Sequence, residues 1–221
     1  MSITNTVLLA TLAVSSSALA IDKRATCSSY TIIDTRGTGE AQGPSAGFLT
    51  MNSNVQAKLS GGKVYNTVYA ASFDQQSSAA TQDIIDHIQT TLASNPSECF
   101  ILEGYSQGAA ATVNALSQIT GSAFTAVKGV FLIGDPEHTA GLTCNVDNYG
   151  GTTTRDVNGL EVFEGSIPSN WISKTLDVCI FGDGVCDTTH GVGIDAQHLQ
   201  YPYDAPTQNL GTQFIETQLA S

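Results

Sequence analysis

Positive charge is scarce in this sequence: 8 lysines and arginines stand against 20 aspartates and glutamates, for a formal net charge of −12. Phosphate backbones and anionic bilayers are held by basic patches, so the composition argues against nucleic acid and acidic membranes as partners. No CxxC pair occurs, and "CIFGDGVC" spaces its cysteines wrongly for structural zinc, so no metal is expected. Internal repeats, long linkers and low-complexity tracts are missing as well, which leaves one domain as the simplest organisation. The apolar stretch "VLLATLAVSSSALA" at 7–20 is too short and too serine-rich for a membrane span. It ends in Ala18, Leu19 and Ala20, the small-x-small pattern of a secretory signal, although no lysine or arginine precedes it. The next residues, "IDKR", end in the dibasic pair Lys23 and Arg24. The expectation is a signal peptide over 1–20, a short propeptide over 21–24 and a single folded domain over 25–221. That domain carries 6 basic and 19 acidic residues, a net charge of −13 that suits a soluble extracellular protein.

What is present is an alternation of short β-rich runs with segments of helical period. "YTIID" (30–34) precedes a helical stretch at 45–59; "VYNTVYA" (64–70) precedes another at 78–93, where Ala80, Ile84, Ile88 and Leu92 form one stripe. "CFILEG" follows as a strand, 107–119 as a helix, "AVKGVFLIG" and "TLDVCIF" as strands, and 206–220 as a closing helix. Strand–helix repetition of this kind places parallel strands between crossover helices, hence an α/β three-layer sandwich around a mainly parallel sheet. Residues 135–170, rich in Gly, Thr and Asn, read as an irregular excursion or a small hairpin. Five cysteines in a secreted chain imply two disulfides and one thiol. Cys179 and Cys186 are near enough to staple a loop. Cys27 sits just before "YTII" and Cys99 begins "CFILEG", so if both stretches are parallel strands the two cysteines lie at the same end of the sheet. Cys144 is left as the thiol.

The run "CFILEGYSQGAAATV" stops at Ser106 between Gly104 and Gly108. These residues match GxSxG, the sharp strand-to-helix turn that exposes a nucleophilic serine at the carboxyl edge of a sheet. A serine hydroxyl needs a histidine to remove its proton and a carboxylate to orient that histidine. Downstream, Asp183 falls just past "TLDVCIF" in a loop closed by two cysteines, and His198 follows on a later loop. Asp135 rivals Asp183 because it too follows a strand, and His138 and His190 rival His198. His87 lies before the serine on the polar side of a helix and is expected to be solvated. No long apolar insertion is present to act as a lid. Val185, Leu199 and Tyr201, near the proposed acid and base, are candidates for acyl-chain contact or for the core.

Four motifs in order, "RGTGE", "GYSQG", "GDGVC" and "HLQY", make the chain resemble the cutinase family over nearly all of residues 27–221, most closely the cutinase-like polyester-degrading enzymes of yeasts. The resemblance implies a lidless cutinase-like α/β-hydrolase in which Ser106 is the nucleophile, Asp183 the acid and His198 the base. It places Thr38 at the oxyanion hole with the backbone N–H of Gln107 as second donor, and pairs Cys27 with Cys99 and Cys179 with Cys186. It implies a secreted serine esterase acting on cutin-like or aliphatic polyesters and short-chain esters through an acyl-enzyme, with no cofactor. The expected partner is an ester or polyester substrate, met by a monomer without stable membrane insertion. Acetylxylan esterase is the enzymatic alternative; a secreted binding protein on the same fold is the non-catalytic one. Thiol labelling in denaturant without reductant checks the cysteine assignment: one reactive cysteine is expected, and three would overturn the pairing.

Overall fold

Apolar side chains in the strands alternate between two faces, and this period of two builds the architecture. The structure is a computed structural model and describes Met1 and residues 27–221; apart from Met1, the expected signal peptide (1–20) and propeptide (21–24) lie outside the described residues. Six strands appear in the chain order β1 (Tyr30–Thr35), β2 (Gly62–Asn66), β3 (Cys99–Tyr105), β4 (Val127–Ile133), β5 (Asn145–Val146) and β6 (Thr175–Val178). They form one sheet in the order β2-β1-β3-β4-β6-β5, and every pairing is parallel. Five helices cover it: α1 (Leu49–Lys58), α2 (Ser78–Ser94), α3 (Gln107–Leu116), α4 (Gly121–Ala126) and α5 (Ala205–Leu219).

On one face Ile32, Ile101, Phe131 and Ile133 pack with Met51 and Val55 of α1 and Ile215 and Leu219 of α5. On the other, Ile33, Leu102, Val130 and Leu132 pack with Ile84 and Ile88 of α2 and Val113 and Leu116 of α3. The three layers expected from the alternation are therefore present. Helix α5 starts where Asp204 caps it, its Oδ2 accepting from Thr207 N at 2.9 Å, with proline in the first turn.

Several boundaries differ from the sequence reading, and each has a local cause. Strand β2 ends at Asn66 instead of running to 70, because the Arg36 guanidinium takes the carbonyls of Thr67 and Tyr69 and draws the chain off the ladder. Strand β6 stops at Val178 because the next N–H past Cys179, that of Ile180, is taken by the Tyr201 hydroxyl at 3.0 Å. The excursion after β4 is not a hairpin: its strand β5 pairs in parallel with β6. Helix α4 carried no clear periodic signal. His87 is half-buried and stacked on Tyr65 with ring centroids 3.5 Å apart, instead of being solvated.

Both disulfides form as expected, Cys27–Cys99 across 72 residues and Cys179–Cys186 across 7. Cys144 is the free cysteine; it is buried, and burial pushes its thiol up to about 12, so it stays protonated. The excursion is pinned beside it by a buried ion pair. His138 Nδ1 lies 2.6 Å from Asp177 Oδ2 and Nε2 lies 2.9 Å from the Thr154 carbonyl. Both ring nitrogens face acceptors, so both carry protons. Burial opposes that charge, but the Asp177 carboxylate and the Thr154 carbonyl outweigh it and hold the imidazole up to about 9. A histidine pKa raised above its unfolded value of about 6.5 stabilises fully below that value and loses its contribution as pH rises through about 9. His138→Gln should thus cost about 3–5 kcal/mol near pH 6 in urea unfolding, since it strands Asp177. The gap from wild type should narrow toward pH ~10; a gap independent of pH would count against the buried imidazolium.

Candidate active site

Strand β3 delivers the chain to Ser106, which takes φ 55° and ψ −123°. A side chain in that region is strained by about 1–3 kcal/mol, and the surrounding contacts hold it there. The glycines on either side make the turn possible for reasons of space. A β-carbon on Gly104 would come within 2.6 Å of Ala109 Cα, and one on Gly108 within 2.0 Å of the Thr35 carbonyl oxygen. Ser106 N donates to the Ile133 carbonyl at 3.0 Å, fixing the turn to β4. Helix α3 begins at the next residue, Gln107, so its amino-terminal dipole points at the serine.

His198 and Asp183 meet this serine. His198 Nε2 lies 2.9 Å from Ser106 Oγ, and its Nδ1 lies 2.9 and 3.0 Å from the two oxygens of Asp183. The carboxylate accepts the Nδ1 proton, which leaves Nε2 free to accept the serine's. Both His198 and Asp183 are buried. The rivals are occupied elsewhere. His138 is committed to Asp177, Asp135 Oδ1 accepts from Glu137 N at 3.0 Å, and His190 bonds Thr189 and Asp187 while packing on Phe181.

Four further residues hold the constellation in place. The Tyr201 hydroxyl donates to Asp183 Oδ2 at 2.7 Å, and Val185 N donates to Oδ1 at 2.9 Å. Burial and the adjacent Asp183 charge push the Tyr201 hydroxyl well above its ordinary pKa, so it remains a donor. Asp195 ties the two loops together: its Oδ1 accepts from His198 N at 2.8 Å and its Oδ2 from Gly184 N at 2.9 Å. Tyr105 donates to the His198 carbonyl at 2.7 Å. Gly134, at φ 57°, leaves room for the imidazole, since a β-carbon there would sit 2.7 Å from His198 Cε1. Tyr201 and Val185 are buried and support Asp183, whereas Leu199 alone of the three acyl-contact candidates lines the cavity over Ser106. The spacing Asp195-x-x-His198-x-x-Tyr201 was visible in the sequence, but nothing in it distinguished a hydrogen-bonding tyrosine from a packed one.

That cavity measures about 310 Å³. Thr38 and Glu40 form one wall and Ile194, Leu199 and Tyr203 another. The latter three are 52%, 57% and 88% exposed, so among the described residues no lid packs over them. The Thr38 loop is braced from below: Glu40 accepts from Gly37 N, Ser45 Oγ and Ala46 N, and the Arg36 guanidinium lies 4.7 Å from the Tyr69 ring centroid. Thr38 and Gln107 are brought together by Gln75, whose Oε1 accepts from Thr38 Oγ1 and from Gln107 Nε2, each at 3.2 Å. Among the described residues no cluster of three or more His, Cys, Asp or Glu is placed to hold a metal.

A parallel sheet with a serine turn at its carboxyl edge and a histidine–carboxylate pair above it is the arrangement of the α/β-hydrolase class. Within that class the chain belongs to the cutinase family: the family model for Cutinase matches residues 26–219. Carboxylesterase Culp1 of Mycobacterium tuberculosis is 30% identical over 192 residues, spanning 84% of this chain and 80% of its own. A cutinase-like protein from Cryptococcus sp. superimposes with a TM-score of 0.86 at 63% identity, covering 88% of this chain and 97% of its own. The catalytic core of acetyl xylan esterase from Trichoderma reesei shares the fold, with a TM-score of 0.69 at 24% identity over 87% of this chain and 99% of its own.

Removing the Tyr201 hydroxyl tests the support of Asp183. Tyr201→Phe leaves one Asp183 oxygen and the Ile180 N–H short of a buried partner, which should cost about 1–3 kcal/mol in urea unfolding. An unchanged midpoint would show that the hydroxyl is not holding the loop.

Proposed function

We propose that this protein is a secreted serine esterase in which Ser106 Oγ attacks an ester carbonyl, His198 Nε2 takes its proton, and Asp183 stabilises the imidazolium that forms. The proton then passes from Nε2 to the departing alcohol, and a water activated by the same nitrogen releases the acid from the acyl-serine. The negative oxygen of each tetrahedral intermediate is received by the Gln107 N–H and by Thr38, with the α3 amino terminus adding its dipole. The observation that carries this reading is the unbroken chain Asp183–His198–Ser106, with 2.9 Å between His198 and each neighbour.

The substrate class is aliphatic polyester, cutin-like material and short-chain esters. An apolar rim of Ile194, Leu199 and Tyr203 suits acyl chains better than a hydrated polysaccharide, and the 63% identical Cryptococcus relative is called cutinase-like. Absence of a lid suits a polymer segment lying across the site. The two disulfides fit an extracellular setting, and among the described residues no helix is long and apolar enough to cross a membrane. The protein acts as a monomer and binds no nucleic acid.

Initial rates on p-nitrophenyl butyrate and weight loss of an aliphatic polyester film provide the test. Ser106→Ala should lower turnover on both by on the order of a millionfold, and Asp183→Asn by roughly ten-thousandfold. Comparable activity in the serine variant would overturn the assignment of the nucleophile. An untouched film beside rapid deacetylation of xylan by the wild type would move the substrate to acetylated polysaccharide.

A further inference from the structure

A second polar constellation, which the ester chemistry does not use, sits on the α1 face of the sheet. Asp34 of β1 is the register partner of Glu103 of β3 and of Asn66 of β2, so the three side chains form one row across the strands. Asn52 of α1 closes over them, its Nδ2 donating to Glu103 Oε2 at 2.9 Å. That bond fixes the amide, so Asn52 Oδ1 is an acceptor. Asp34 Oδ2 accepts from Ser45 N at 3.0 Å. Each of the four residues retains one buried oxygen with no hydrogen-bond partner among the described residues: Asp34 Oδ1, Asn52 Oδ1, Asn66 Oδ1 and Glu103 Oε1. Asp34, Asn52 and Glu103 are 1%, 6% and 0% exposed. Asp34, Asn52 and Asn66 also line a cavity of about 520 Å³ between α1 and β2.

Four unpartnered buried oxygens on neighbouring side chains, three of them on residues that line one cavity, are an arrangement that a solvating donor or a cation would satisfy, and that apolar packing would not. Two carboxyl groups in one buried site also repel, unless a proton or a counter-ion neutralises one of them. Arg36, whose charge reaches Asp34, commits its guanidinium to the carbonyls of Glu40, Thr67 and Tyr69. We propose that Asp34, Glu103, Asn52 and Asn66 form a calcium-type cation site. The donors are all oxygen and mix carboxylate with amide carbonyl, a set that suits a hard cation tolerant of irregular geometry, and the cavity admits water to complete its shell. Magnesium, which demands near-ideal octahedra, fits less well. With only two carboxylates the affinity belongs in the weak extracellular range, Kd ~10⁻⁴–10⁻³ M. A cation here would clamp β1, β2 and β3 to α1, and would hold through Asp34 the Ser45 turn that leads into that helix. The site is independent of the esterase reading and its test does not use activity.

The experiment is thermal unfolding of the EDTA-stripped protein with CaCl2 at about 10 mM, against NaCl at matched ionic strength. Calcium should raise Tm by roughly 3–10 °C over the sodium control, for a site in this affinity range, and MgCl2 by less. Glu103→Gln and Asn66→Ala should each weaken calcium binding on the order of tenfold, read by titrating Tm against calcium. If Glu103→Gln does not fold, Asn66→Ala, at a half-buried position, carries the comparison. Equal shifts with sodium and calcium, or variants that respond as wild type does, would overturn the site. So would a wild type indifferent to calcium beside a Glu103→Gln protein that melts higher, because the two carboxyls would then be sharing a proton.

Discussion

Helix α3 approaches strand β1 closely, and the site depends on that contact. At Gly108 the helix backbone lies so near Thr35 that a β-carbon would stand 2.0 Å from its carbonyl oxygen. This contact brings the start of α3 against the loop that leaves β1, where Gly37 in turn sits against Tyr105 and Ser106. Two backbone segments 70 residues apart in the chain therefore share one wall. Ser106 is forced into a left-handed conformation that few side chains adopt, and the cost is offset by the cores on either side of the sheet and by the bond from Ser106 N to β4. Strain here has a geometric result: the hydroxyl clears the sheet edge and reaches His198.

Asp183 and His198 arrive on irregular chain, which carries no ladder of its own, so their placement rests on cross-links. Three donors converge on Asp183, from His198, Tyr201 and Val185, and the Cys179–Cys186 bridge closes the loop that bears it. Asp195 then fastens that loop to the His198 turn through one carboxylate shared by two backbone N–H groups. A buried carboxylate satisfied by several donors is held in one orientation, which is what a histidine needs to keep a single tautomer. The short disulfide serves position more than global stability, because closing 7 residues constrains the unfolded chain less than closing 72.

Much of this was legible in the sequence because it depends on local rules. Alternating strands and helical stripes announce a parallel three-layer sheet, GxSxG announces the turn, the spacing of Cys179 and Cys186 announces one bridge, and the placement of Cys27 and Cys99 at the same end of two strands announces the other. The choice of Asp183 over Asp135 was not local. Both follow strands, and only the tertiary structure turns Asp135 toward the buried His138–Asp177 pair. The same holds for β2, where nothing in "VYNTVYA" says that a distant arginine will take its carbonyls. Tyr201, Asp195 and Gln75 were missed as supporting residues because a single hydrogen bond across loops leaves no periodic trace. The Asp34–Glu103 pair was hidden for a related reason: each carboxylate occupies an inward position of an otherwise apolar strand, and only the register places them side by side.

The two faces of the sheet carry different loads. The α2–α3 side presents Ile33, Leu102, Val130 and Leu132 to the helices, with Asp177, the register partner of Leu132, buried beside them and neutralised by His138. The α1–α5 side admits polar groups near the carboxyl end of the same strands, and the loops of the site rise above that end. An open site also leaves apolar side chains in water: Phe73, Ile194, Leu199 and Tyr203 are each more than half exposed. Such a patch would favour self-association in a neutral protein. A net charge of −12 opposes it by repulsion between chains. An uncharged ester surface feels no such repulsion, so the acidity leaves the apolar rim free to settle on a neutral substrate.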